Sequence, residues 1–140
     1  MTENAQVMPM ISVDSVDLAR AFYVEQLGFD HQMGMLGKDG QLDFCSVTLG
    51  GAKVMLMRPQ EMTGETSATS AKRPVELYVQ VRDVNAYHDR VRNNGVIITT
   101  PLTDQWWGDR TFTVTDPYGY RVWFYQTVGE PKPPQGVKIV

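Results

Sequence analysis

The chain has 140 residues, 42% hydrophobic and 21% charged, the balance of a single globular domain able to bury a core. A net charge of −3 with no basic run argues against nucleic acid or an anionic membrane surface as the main partner. The single cysteine, Cys45, excludes an intrachain disulfide, and no apolar run reaches the roughly 18 residues that a membrane span requires.

Val7 to Val13 is an apolar run closed by Asp14-Ser15 and reads as a strand. Ser15 then caps a helix through Leu27, with Val16, Ala19, Phe22, Tyr23 and Leu27 at helical spacing and Gly28 as the stop. Strands follow near Phe29 to Leu36, Gln41 to Leu49 and Ala52 to Arg58, joined by the glycine turns Lys38-Asp39-Gly40 and Leu49-Gly50-Gly51. Cys45 falls within the third strand and reads as a small buried side chain rather than a nucleophile.

Residues 59–74 are polar, rich in Thr, Ser and Glu, without a period, and are expected to form a linker. The order then repeats. A strand from Val75 to Val81 precedes a helix capped by Asp83, running through Val91 and stopping at Gly95. Strands are expected near Val96 to Thr100, Thr111 to Thr115 and Tyr120 to Thr127, with Asp116-Pro117-Tyr118-Gly119 as the last turn. Trp106-Trp107 falls in a polar, Gly-containing loop, and the tail over 128–140 reads as extended or loosely attached.

The two halves share one register. Val7 and Val75, Val13 and Val81, Val16 and Val84, Phe44 and Phe112, Gly51 and Gly119, Val54 and Val122 are all 68 apart (for example 119 − 51), and Lys53 falls on Arg121. Two copies of one supersecondary unit explain this, spanning 6–58 and 75–127 within one domain.

Because strands alternate their side chains, each unit has two readable faces. Val7, Pro9, Ile11, Val54, Leu56, Val75, Leu77, Val79, Val122 and Phe124 form an aliphatic face suited to packing under the helices. Met8, Met10, Met55, Met57, Glu76, Tyr78, Trp123 and Tyr125 form the other, an adaptable surface suited to a small-molecule ligand. Helices are available to cover only one face.

The strings AFYVEQLGF and DPYGYRVWFY, together with the repeat, give the chain a resemblance over residues 6 to 127 to the glyoxalase, bleomycin-resistance and extradiol dioxygenase superfamily. It implies an α+β fold of two tandem βαβββ units whose curled mixed sheets form a cleft, and a homodimer. Metal-dependent members carry His and Glu ligands on the first and last strand of each unit, which by position are Met8, Met55, Glu76 and Trp123 here. A catalytic divalent metal needs about three N or O ligands, and this set offers one. His31, at the start of the second strand, and His88, read as exposed on its helix, do not repair the deficit, so neither metal nor other cofactor is expected.

The stretch DQWWGDRTFTVTDPYG is similar to the metal-free bleomycin-binding branch and puts Trp107 at its ligand-stacking position. The acidic residues that favour a cationic glycopeptide reduce here to Glu76, with Asp104 and Asp109 on the nearby loop, so a smaller aromatic or amphipathic ligand is expected. Three readings stay open. One is a cytoplasmic binding protein of resistance type, with the ligand stacking on Trp107 or Trp123 and lying along the four methionines. Another is a metal-independent lyase or isomerase with a desolvated Glu76 as general base. The third leaves Glu76 structural and fills the cleft with the chain's own side chains.

Overall fold

A computed structural model describes residues 6–59 and 75–139, and its chain divides into two compact units, Met1–Ala71 and Lys72–Val140. The expected linker over 59–74 lies, apart from Pro59, outside the described residues.

In the first unit, β1 (Met10–Ser12) leads into α1 (Val16–Ala21), and then come β2 (Asp30–Leu36), β3 (Leu42–Leu49) and β4 (Ala52–Met57). Ser15 starts α1 by accepting from Leu18 N at 3.1 Å, which satisfies an amide the helix itself leaves free. At Phe22–Gln26 the helix widens into a π turn, Leu27 N donating to Phe22 O and Phe29 N to Tyr23 O. Phe22, Tyr23 and Phe29 meet there edge to face, 5.5 Å between neighbouring rings, and are buried with Val16, Ala19 and Leu27.

The second unit repeats the plan: β5 (Leu77–Gln80), α2 (Val84–Asn93), β6 (Ile98–Asp104), β7 (Asp109–Thr115) and β8 (Arg121–Thr127). Asp83 caps α2 by accepting from Ala86 N at 3.0 Å, and Arg90 and Arg92 stand in its last turn, where the helix dipole favours cations. Among the described residues no helix is long and apolar enough to cross a membrane.

The sheets have the orders β1-β4-β3-β2 and β5-β8-β7-β6, with first and last strands parallel and the other pairs antiparallel, an α+β arrangement of two tandem units. The parallel pairs obey the repeat: Met10 pairs Met55 as Tyr78 pairs Trp123, and Ile11 pairs Leu56 as Val79 pairs Phe124, each residue 68 from its counterpart. The third strands do not, because Leu56 faces Cys45 while Phe124 faces Phe112, so Phe44 and Phe112, matched by the sequence, are not equivalent in the sheets. The aliphatic face is core as expected for Ile11, Val54, Leu56, Leu77, Val79, Val122 and Phe124. Val7 and Val75 are not part of it, being 93% and 47% exposed, because both precede the ordered strands. Cys45 is fully buried, and burial pushes its thiol up to about 11, as befits an inert apolar side chain. His88, read as exposed, instead has a side chain only 12% exposed, its ring meeting the edge of Phe112 at 5.1 Å.

Two boundaries differ instructively. β6 spans Ile98–Asp104 rather than the expected Val96 to Thr100, and it runs through Pro101 because β6 is an edge strand and the missing amide removes no ladder bond that matters. β7 begins at Asp109, two residues before the expected start, so the Trp106-Trp107 loop shrinks to a tight turn with Gln105 N donating to Asp109 O at 2.8 Å. The start of the tail is also tied down. Val128 N and Gly129 N both donate to Gly108 O, at 2.9 and 3.1 Å, and Lys132 N donates to Trp106 O at 2.6 Å.

Gly108 has φ +102, and a Cβ there would lie 2.4 Å from Gly129 O. Gly108→Ala is therefore expected to destabilise the protein by about 1–3 kcal/mol in urea unfolding, backbone strain and clash adding. Hydrogen exchange at the Val128, Gly129 and Lys132 amides should accelerate in parallel; an unchanged midpoint and exchange rate would show that the tail is not held there.

Candidate functional site

Period-2 alternation sends Glu76, Tyr78, Trp123 and Tyr125 to the face of the second sheet opposite α2, together with Asp109, Thr111 and Thr113 of β7. Tyr78 lies at the centre of this face. Its hydroxyl donates to Asp109 Oδ2 at 2.6 Å and accepts from Trp107 Nε1 at 2.9 Å, while Thr127 Oγ1 donates to Asp109 Oδ1 at 2.8 Å. Asp109 is 9% exposed, so both its oxygens are satisfied within the protein, as burial demands. Burial pushes the Tyr78 phenol up to about 12; the bond to Asp109 adds to the shift, and the indole's donation opposes it.

The ring of Tyr78 stacks on Tyr125 at 4.3 Å with planes 20° apart and tilts against Trp123 at 5.9 Å. Trp123 Nε1 donates to Glu76 Oε1 at 2.7 Å, and Arg121 stands 3.8 Å from the same oxygen. Trp106 meets Trp107 edge to face at 5.7 Å. The polar atoms of Tyr78, Trp107 and Trp123 are thus committed, yet Tyr78 remains 45% exposed. The result is a set of rings held in place with hydrophobic surface on offer. Glu76 departs from expectation: its side chain is 48% exposed and engaged by an indole and a guanidinium, so it is not a desolvated carboxylate.

The first sheet places Met10 opposite Met55, and Met57 opposite both Ser12 and Phe44, again on the face away from the helix. Met8 precedes β1 and is 41% exposed, and Met10 is 55% exposed. Register adds two methionines that sequence reasoning missed: Met33 pairs Ser46 and Met35 pairs Phe44. Their spacing of two along β2 was the available signal. Asp109 as the partner of Tyr78, and Thr127 as that of Asp109, were missed, although the alternation Asp109, Thr111, Thr113 against Phe112 and Val114 marks one strand face.

The four positions corresponding to metal ligands in related folds hold two thioethers, an indole and one carboxylate. An indole N–H donates only, and here it points at the lone carboxylate, so this set does not fit a divalent metal with an open catalytic position. Among the described residues, no three His, Cys, Asp or Glu side chains gather where one ion could be held.

A family model described as the Glyoxalase/Bleomycin resistance protein/Dioxygenase superfamily matches residues 5–124. Uncharacterized protein Mb0911c of Mycobacterium bovis is 34% identical over 127 residues, covering 88% of this chain and 81% of that protein. The crystal structure of TioX from Micromonospora sp. ML1 superposes with a TM-score of 0.70 at 25% identity, covering 89% of this chain and all of that one. Bleomycin-binding protein from Streptomyces verticillus, complexed with copper(II)-bleomycin, superposes with a TM-score of 0.65 at 24% identity, covering 93% and 100%.

The Tyr78 phenol is held protonated by the folded protein, so its contribution to stability is full below its ordinary value near 10 and is lost as pH rises through about 12. Absorbance titration at 295 nm is expected to show a phenol ionising near pH 12 that is missing in Tyr78→Phe. Identical titrations above pH 10 in the two proteins would contradict the network.

Proposed function

The chain belongs to the glyoxalase/bleomycin resistance protein/dioxygenase superfamily, and we propose that it is a metal-free binding protein that sequesters an aromatic or amphipathic small molecule. One observation carries this reading: Tyr78, Trp107 and Trp123 have their polar atoms committed to hydrogen bonds while Tyr78 keeps nearly half its surface exposed. Rings held this way have little freedom left to lose when a planar molecule stacks on them, which favours binding. Each stack contributes about 0.5–1.5 kcal/mol beyond burial of area. Met8, Met10, Met55 and Met57 supply a second, deformable apolar surface, and Glu76 with Tyr125 supplies polar contacts. That a protein of this fold holds copper(II)-bleomycin supports a small-molecule ligand. Turnover by a lyase or isomerase with Glu76 as general base is the weaker reading, because that carboxylate is half-exposed and already engaged by Trp123 Nε1 and Arg121.

Titration with a panel of planar aromatics, cationic and neutral, is expected to quench tryptophan fluorescence with at least one compound. Trp123→Leu and Trp107→Ala should weaken that compound about tenfold, while Trp107→Ala alters folding stability by less than about 1 kcal/mol, against about 3–5 for a core tryptophan. Dialysis against EDTA should leave the affinity unchanged. Strong destabilisation by Trp107→Ala, with no quenching by any compound, would make the turn structural and remove the binding reading.

We also propose a homodimer, because the thioether and aromatic faces expose more apolar surface than scattered residues do. Light scattering at high micromolar concentration should return twice 15.8 kDa; the mass of one chain would refute it.

A further inference from the structure

The repeat allows the two units to be compared at one spot, since Lys53 corresponds to Arg121 and Met8 to Glu76, each 68 apart. In the second unit the cation that opens the last strand has a carboxylate of its own: Arg121 Nη1 lies 3.8 Å from Glu76 Oε1. In the first unit the cation is kept and the carboxylate is replaced by a thioether. Lys53 sits on the same face of β4 as Met55, directly opposite Thr48 of β3, and makes no ion pair with any described residue.

Among the described residues of the first unit, none supplies a carboxylate to the lining around Lys53. A depression of about 470 Å³ opens at this end of the first sheet, its lining including Gln6, Met8, Gln32, Thr48, Gly51 and Lys53, with no acidic residue. A Cβ on Gly51 would meet nothing within 4 Å, so the turn leaves the space clear. Gln32 accepts from Ser46 Oγ at 2.8 Å through its side-chain oxygen, which leaves its amide N–H groups as donors. An ammonium, a hydroxyl and an amide therefore surround an open volume, a donor set that matches an acid group.

We propose that this depression receives the acid group of an amphipathic ligand, a carboxylate or phosphate, at Lys53, in the place that Glu76 holds in the second unit. The ligand's apolar body lies on Met8, Met10 and Met55. The proposal rests on the reading of the methionine face as a ligand surface, and it specifies the charge of what binds there. A half-exposed ion pair alone contributes little, so a bare anion does not suffice and the apolar body is required.

Calorimetric titration with octanoate, octan-1-ol and acetate tests this on the full chain and on Lys53→Gln and Met8→Glu. The second variant restores the carboxylate that the other unit carries and should satisfy Lys53 internally. In the unaltered protein octanoate is expected to bind about tenfold tighter than octan-1-ol, and acetate to give no measurable heat. Both variants should abolish the octanoate preference, Met8→Glu also weakening octan-1-ol because it takes a thioether from the apolar surface, and salt near 1 M should erode the preference as the screening length falls to about 3 Å. Equal affinity for octanoate and octan-1-ol in the unaltered protein would overturn the acid-group assignment while leaving the methionine face as a binding surface. A preference that survives in both variants would also overturn it, and failure of both ligands to bind would remove the two readings together.

Discussion

Everything specific about this molecule depends on the parallel pairing of the first and last strand in each unit. Parallel neighbours cannot be joined by a tight turn, so a helix must cross over one face of the sheet, and that crossing decides which side chains become core. Ile11, Leu56, Val79 and Phe124 are buried because α1 and α2 lie on their side. Met10, Met55, Tyr78 and Trp123, one residue away along the same strands, face the other way. A slip of one residue in either parallel pair would exchange the two sets, so the register and the exposed chemistry are a single constraint.

Within that shared frame the two copies have diverged in kind. The first presents thioethers, which have no fixed shape preference and adapt to what touches them. The second presents rings whose orientation is fixed by hydrogen bonds to Glu76 and to Asp109, the latter itself held by Thr127. The difference follows from polar neighbours: a phenol or indole on a partly buried face must find a partner for its N–H or O–H, and β7 supplies Asp109 where β3 supplies apolar and small residues.

Periodicity made the repeat, both helices with their caps, and the sorting of β1, β4, β5 and β8 into two faces legible, because these strands are long enough in pattern and pinned by a 68-residue offset. The edges were harder. The extension of β6 through Pro101 follows only once that strand is known to be an outer one, and Met33 and Met35 have no meaning as a pair until β2 is registered against β3. The network around Tyr78 joins residues 31 apart, a separation that local pattern does not encode. His88 was misjudged for a related reason, since its burial is set by Phe112 on a strand distant in sequence.

The stitching of Val128, Gly129 and Lys132 to Gly108 and Trp106 gives the turn between β6 and β7 an external splint. Two indoles ride on that turn, and one of them is hydrogen-bonded to the central phenol of the aromatic face. Mechanically the tail is a lever with a short arm. Tension applied downstream of residue 132, as by a tethered surface or a fused domain, is delivered to the carbonyls of Trp106 and Gly108 before any strand feels it. The tail is therefore wired, through two turn carbonyls and one indole, to the central phenol of the aromatic face.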